Sequence, residues 1–264
     1  MNINNLFNLE NKVAVVTGGY GYLGTSMVEA LAEAGAQVYI TGKNSNKCKQ
    51  LSNKLNNLIP NAKIDWITLD ISSSKSIKNA FKHILRNSKK IDILINNAFF
   101  GTTRNVEKIS ESEWEMGIQG SINGVFKTTN EIIPIMKKFN SGTIINIASM
   151  YGQVSPDPSI YGKTNFNNPP QYGAGKAAII QFTRYSAVHL AKNGIRVNSI
   201  SPGPFPNPEV QKNKKFIGQL NKKTPMNRVG KPWEIKGIVI FLSSNASTYV
   251  TGQNINVDGG WTVW

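Results

Sequence analysis

Val13-Ala14-Val15-Val16-Thr17 is a run of small and β-branched residues without polar alternation, the pattern of a strand buried on both faces. Comparable short runs recur at 37–41, 63–69, 91–96, 143–148, 196–200 and 254–257. Between them the apolar positions fall at helical spacing over 22–34, 47–58, 74–87, 111–139, 171–193 and 232–243. Strands that alternate with helices imply βαβ units. The predicted fold is α/β: a Rossmann-like, doubly wound parallel sheet of about seven strands, with helices on both faces in a three-layer α/β/α sandwich. Three irregular stretches, 99–108, 150–170 and 202–211, each follow a strand. They should sit at the carboxyl edge of the sheet, where such folds bind ligands. No repeat or linker interrupts the pattern, so residues 1–264 read as one domain.

Composition narrows the function without naming it. A chain of 264 residues, 40% hydrophobic, can bury a large core. Its single cysteine, Cys48, excludes an internal disulfide and a cysteine-built metal cluster, and no metal site is expected. No stretch is long and apolar enough to cross a membrane, and the asparagine-rich start lacks the apolar segment of a signal peptide. A cytoplasmic protein with no membrane partner is the expectation. The net charge of +15, from 30 Lys+Arg against 15 Asp+Glu, invites a nucleic-acid reading. The lysines are spread over 12–236, however, with no zinc-finger spacing, basic arm or RNA-binding aromatic motif beside them. No nucleic-acid partner is expected; the charge would instead steer small anions.

The first strand runs into Thr17-Gly18-Gly19-Tyr20-Gly21-Tyr22-Leu23-Gly24 and then an alanine-rich helix. Gly19, Gly21 and Gly24 satisfy G-x-G-x-x-G in the strand–turn–helix context that gives the motif meaning. Glycines allow a tight turn and close backbone approach, and the helix start offers free N–H groups to a pyrophosphate. Gly18, Gly19, Gly21, Leu23 and Gly24 are the candidate cofactor contacts. An NAD site usually carries an acid about twenty residues further on. Here the second strand ends Thr41-Gly42-Lys43-Asn44, without one, and Lys43 could meet a 2′-phosphate instead. NADP(H) is favoured and NAD(H) stays open; the plainer reading of Lys43 is the start of a solvated helix face.

Tyr172-Gly173-Ala174-Gly175-Lys176 sets a phenol and an ammonium four residues apart, on one face of a helix. A free tyrosine titrates near 10, and a neighbouring cation favours its phenolate, making it a usable general acid or base. Alone the spacing means little. In company with Asp70 after the third strand, Asn96-Asn97-Ala98 after the fourth, Ser149 after the fifth, Pro202-Gly203 after the sixth and the ending Gly252–Gly260, it resembles the compact branch of the short-chain dehydrogenase/reductase family from 12 to 260.

That resemblance implies roles. Asp70 and the Ile71 backbone would meet adenine, Asn97 and Ala98 the adenosine ribose, and Pro202 and Gly203 the nicotinamide. Lys176 would hold the nicotinamide ribose and tune Tyr172, while Ser149 would bind the substrate oxygen. Asp70 as a cap, Asn97 as a sheet-edge turn and Ser149 as a strand-end hydroxyl are the plain alternatives. Homotetramers, built through the last strand and long helices, are common in the family, and Trp261 and Trp264 at the chain end, if exposed, suggest an interface, with packing inside the monomer the plain alternative.

Three departures stand out. Tyr22 occupies a glycine position of the compact branch, leaving the glycine spacing of the extended branch that includes nucleotide-sugar epimerases. Only 88 residues (264 − 176) follow Lys176, little room for that branch's substrate domain. Ser121 stands where many relatives have a catalytic asparagine, with Asn123 nearby, and Phe99 replaces a glycine. Finally, Ser149 and Tyr172 are 23 residues apart, whereas the family gap is little over half that. Tyr161 lies at the commoner spacing but has Asn165, not lysine, four residues on. We read a substrate-loop insertion at 155–170 and a lid at 204–224, with Tyr172 catalytic.

The expected activity is carbonyl–alcohol interconversion on a small polar substrate, sugar-like or phosphorylated. Thr102, Thr103, Arg104, Tyr151, Gln153, Asp157, Asn165, Asn167, Asn168, Lys212, Lys214 and Lys215 suggest that polarity, though ordinary surface loops look alike. The stretches 150–170 and 201–208 also resemble oxidoreductases of bacterial sugar-modification cassettes, legionaminic-type nonulosonate pathways among them. The alternatives are a cofactor-sensing protein that has lost turnover and, more weakly, an epimerase.

Overall fold

The computed structural model describes residues 2–162, 164 and 166–264. Seven parallel strands form one sheet in the order β3-β2-β1-β4-β5-β6-β7. They are β1 (Val13–Thr17), β2 (Gln37–Gly42), β3 (Lys63–Thr68), β4 (Ile93–Asn96), β5 (Gly142–Ile147), β6 (Ile195–Pro202) and β7 (Asn254–Val257). The order reverses between β1 and β4, and the turns leaving those two strands open a crevice at the carboxyl edge.

Among the described residues ten α-helices join them: α1 (Ile3–Phe7), α2 (Tyr22–Glu33), α3 (Ser45–Leu58), α4 (Ser74–Ser88), α5 (Glu111–Ile118), α6 (Gly124–Lys138), α7 (Pro170–Leu190), α8 (Pro208–Gln211), α9 (Lys214–Lys223) and α10 (Lys236–Ser243). β1 is buried at every position because adjacent residues face opposite cores. Val16, Val38 and Ile145 pack under Met27 and Leu31 of α2, Leu55 of α3 and Val239 and Leu242 of α10. Val15, Leu94, Ile144 and Val197 pack under Phe81 and Ile84 of α4, Ile132 and Met136 of α6 and Leu190 of α7.

The continuous helix expected over 111–139 is two helices, α5 and α6, joined by a π-helical turn, Gln119–Asn123. The stretch expected to be irregular after β6, 202–211, ends in α8, and α9 follows it. α9 buries Phe216 and Leu220, four residues apart, against the 155–170 segment: Phe216 stacks on Tyr161 and tilts against Phe166. Lys223 at the end of α9 pairs with Asp157 at 2.5 Å. Trp261 joins this cluster, edge-on to Tyr151. The expectation of an exposed Trp261–Trp264 pair is therefore corrected: Trp261 is buried within its own chain, and only Trp264 is exposed.

Candidate active site

A cleft of about 460 Å³ lies at the crevice between the β1 and β4 turns. At one end the glycine turn enters α2. Gly18 has φ +62°, a conformation that favours glycine, and a Cβ on Gly24 would collide with the Gly18 carbonyl oxygen. The helix therefore presses directly on the turn, and no side chain caps its start at Gly21. The leading N–H groups of α2 stay available to an anion. Asn97 braces the turn from β4: its side-chain amide donates to the carbonyls of Thr17 (2.9 Å) and Gly18 (3.0 Å). Thr17 Oγ1 in turn accepts from the N–H groups of Asn97 and Ala98.

At the other end stand Ser149, Tyr172 and Lys176. Ser149 leaves β5 in extended backbone, and its hydroxyl accepts the Tyr151 N–H at 3.1 Å. Pro170 starts α7 and its fixed φ suits the first turn; Tyr172 and Lys176 then lie one turn apart on the helix face that meets the sheet edge. Lys176 is 4% exposed, and its Nζ donates to the Ile147 carbonyl at 2.6 Å. Burial pulls its ammonium down to about 8. Burial pushes the Tyr172 phenol above its ordinary value, and the Ser149 hydroxyl draws it part of the way back. In the protein by itself, then, burial governs both groups, and the ammonium's hydrogen bond goes to a carbonyl rather than to the phenol.

Of the residues expected from sequence, Gly18, Gly21, Leu23, Gly24, Lys43, Ile71, Asn97, Ala98, Ser149, Tyr172, Lys176, Pro202 and Gly203 line this one cleft. Gly19 and Asp70 do not. A Cβ on Gly19 would press on Ile40, Val28 and the Val16 carbonyl, so its glycine serves packing. Asp70 turns its carboxylate to its own chain, accepting the Ser72 N–H and hydroxyl and pairing with Lys43 at 3.2 Å. Its burial works the other way, but these bonds together hold the carboxyl below its usual range. Leu69 and Ile71, on either side, face the cleft instead.

The walls that sequence reasoning missed are aromatic: Tyr20, Tyr22, Phe100 and Phe205. Phe99, noted as a departure, lies edge-on to Tyr172 with ring centroids 5.0 Å apart. Lys176 Nζ sits 5.8 Å from the Phe99 ring centre and 5.5 Å from that of Tyr172. Ser121 is buried in the π-helical turn, its hydroxyl donating to the Gly117 carbonyl at 2.7 Å, and a Cβ on Gly175 of α7 would collide with it. Asn123 is turned away, donating to Gln119 on the surface.

The polar residues expected to face substrate are distributed differently. Tyr151, Gln153, Asn167 and Asn168 border a neighbouring cavity of about 570 Å³, together with Tyr161 and Gly173. Arg104 pairs with Glu113, and Thr102 accepts from Gln171; Asn165 lies outside the described residues. Tyr161 is held by the Tyr151 hydroxyl at 3.5 Å and by the Asn168 backbone N–H. It is part of the aromatic cluster around Phe216 of α9 and does not line the cleft of Ser149 and Lys176. Among the described residues no cluster of His, Cys, Asp and Glu could hold a metal, and no helix is long and apolar enough to cross a membrane.

Comparison with known proteins places the whole chain in a family. Residues 22–262 match the family model described as enoyl-(acyl carrier protein) reductase. A 3-oxoacyl-(acyl-carrier-protein) reductase of Thermotoga maritima is 33% identical over 97% of this chain and 99% of its own. A sorbose reductase of Candida albicans is also 33% identical, over 99% of this chain and 90% of its own. The crystal structure of a gluconate 5-dehydrogenase from Burkholderia cenocepacia, in complex with NADP and tartrate, superimposes with a TM-score of 0.90 at 27% identity, covering 100% of both chains. With the model match spanning nearly the whole fold and these relatives covering the rest, the chain belongs to the short-chain dehydrogenase/reductase family, oxidoreductases that act between CH–OH and C=O groups.

Proposed function

We propose that the protein is an NADP(H)-dependent oxidoreductase that interconverts a carbonyl and a secondary alcohol on a small polar substrate, sugar-like or phosphorylated. The observation that carries this reading is the single cleft that joins the glycine turn and Lys43 at one end to Ser149, Tyr172 and Lys176 at the other. The residues fit a dinucleotide: the Gly18–Gly24 cradle has no room for a Cβ at Gly24, and the α2 start is uncapped. When bound, the nicotinamide supplies or accepts the hydride. Tyr172 donates a proton to the carbonyl oxygen during reduction, or removes it from the alcohol during oxidation. Ser149 holds and polarises that oxygen. Lys176, buried beside the phenol, holds the ribose and favours the phenolate when proton transfer leaves Tyr172 charged. Phe99 and Phe205 shield the reacting atoms from water.

The sugar reductase and the gluconate dehydrogenase among its relatives support a hydroxylated substrate. We also propose a homo-oligomer, a tetramer. Its support is the exposed apolar face made by Trp114, Met116, Phe126, Tyr185 and Val188 on α5, α6 and α7. The test is a screen of aldoses, ketoses, amino sugars and their phosphates, read by nicotinamide absorbance, with the Tyr172→Phe protein as control. Turnover lost in the control supports the reading. Tight nucleotide binding without turnover on any of them would favour the cofactor-sensing alternative, which the Phe99 ring beside Tyr172 makes concrete.

A further inference from the structure

Gly42, the last residue of β2, has no conformational reason to be glycine, since its φ is not positive. Its reason is a neighbour. A Cβ built on Gly42 would collide with Tyr20 Cε1 and lie 3.0 Å from Cδ1 and 3.2 Å from Cζ. The Tyr20 ring, carried by the glycine turn, lies over the end of β2, and both residues line the nucleotide end of the cleft. The Gly19 N–H donates to the Thr41 carbonyl at 3.1 Å, which fixes the two segments in this register.

Position 42 is where a carboxylate for the ribose hydroxyls belongs in a doubly wound fold, about twenty residues beyond the glycine turn. Two lysines stand near this end of the cleft. Lys47 Nζ is 6.0 Å from the Tyr20 ring centre, and Lys43, which follows Gly42 directly, is 67% exposed at its side chain with its Nζ 5.9 Å from the Phe100 ring centre. The nearest acid, Asp70, is already engaged by Lys43 and Ser72.

We propose that Tyr20 is a specificity-determining residue for the cofactor: its ring closes position 42 to every side chain, the ribose-binding carboxylate included, and leaves the nucleotide end to a phosphate held between Lys43 and Lys47. The absent acid is thus a consequence of the aromatic residue in the glycine turn, and the two positions can change only together. This rests on the proposed dinucleotide site, but the coupling between the two residues is measurable without a nucleotide.

Four proteins test it: wild type, Gly42→Asp, Tyr20→Ala and the double variant, each taken through thermal melting and through NADPH and NADH titrations followed by nicotinamide fluorescence. Gly42→Asp alone should melt below wild type and gain no NADH affinity. The double variant should recover the melting temperature and shift the NADH-to-NADPH preference towards NADH by about tenfold or more. If Gly42→Asp alone melts like wild type and gains NADH affinity as the double variant does, the ring moves aside freely and the proposal is overturned. If Gly42→Asp cannot be isolated folded, the double variant decides: folding with an unchanged preference overturns the proposal as well. A wild-type preference for NADH would remove the NADP(H) reading, yet the melting cycle would still measure the steric coupling independently.

Discussion

Replacing Lys176 with methionine should make the protein more stable at neutral pH while removing its activity. The side chain is buried, its ammonium drawn down to about 8 from 10.5 by burial, with one hydrogen bond, to the Ile147 carbonyl. That depression corresponds to roughly 3 kcal/mol of penalty for holding the charge in the folded state. The sign follows from proton counts. Below pH 8 both folded and unfolded chains are protonated here, and the full penalty is present. Between 8 and 10.5 the unfolded chain binds a proton that the folded chain lacks, so stability rises with pH. Methionine has similar length, carries no charge and forfeits a charge-assisted bond to Ile147, a loss of about 2 kcal/mol. The net gain near pH 7 is about 1 kcal/mol, or about 2–4 °C in melting temperature for a chain this size. By pH 10 most of the penalty has gone from the wild type, and the two proteins should melt within about 1 °C of each other. Circular-dichroism melts of the cofactor-free proteins at pH 7 and pH 10 measure both. A methionine variant less stable than wild type by the same margin at both pH values would refute the reasoning, because the lysine would then stabilise through packing alone.

Tyr172→Phe should lower turnover by about 10²–10⁴-fold, the usual share of a general acid, with nucleotide affinity nearly kept. Tyr161→Phe should cost under about threefold, since that hydroxyl only ties the aromatic cluster together; a lethal Tyr161→Phe would reverse the assignment of the catalytic tyrosine. Lys43→Ala should weaken NADPH binding by about 3–10-fold and leave NADH unchanged, with the difference shrinking as salt rises. A charge placed in the α5–α7 apolar face, Val188→Glu, should halve or quarter the mass seen by light scattering at unchanged circular dichroism. A wild-type monomer would end the oligomer reading.

The strands were legible because a sheet covered on both faces leaves its centre no freedom of composition. β1, β4 and β5 are buried at every position, and only uninterrupted apolar or β-branched runs satisfy that. Helices away from the sheet were harder. α1 is a five-residue helix started by Asn2, too short for any period to show. α9 does carry a signal, Phe216 and Leu220 at i and i+4, but it follows a proline- and asparagine-rich turn that reads as loop. The π-helical turn at Gln119–Asn123 is marked only by Gly120, a weak breaker, while Pro134, the stronger one, stands inside the regular part of α6, so composition points first to the wrong place for the interruption.

Within the site, backbone-determined features were readable and side-chain-determined ones were not. Glycines at the β1 turn, Asn97 and Pro202 mark places where chain segments come together, and order along the sequence tells which strand delivers each. What fills the space between them depends on pairs of side chains distant in sequence. Phe99 against Tyr172, Tyr20 over Gly42 and Trp261 against Tyr151 are all such pairs. The Trp261 pair shows the consequence most directly. Read alone, two tryptophans near a chain end suggest a surface for a partner, because nothing nearby in sequence could cover them. Segments distant in sequence cover one of them: 155–170 and α9 build an aromatic cluster with Phe216 at its centre, and Trp261 is one wall of it. The segment between Ser149 and Tyr172 and the buried end of the chain therefore belong to one cluster. That segment supplies Ile160, Tyr161 and Phe166, and Trp261 packs in the same cluster with Phe216. Mutating this cluster should alter the substrate end of the cleft while leaving the nucleotide end, held by Asn97 and the α2 start, as it is.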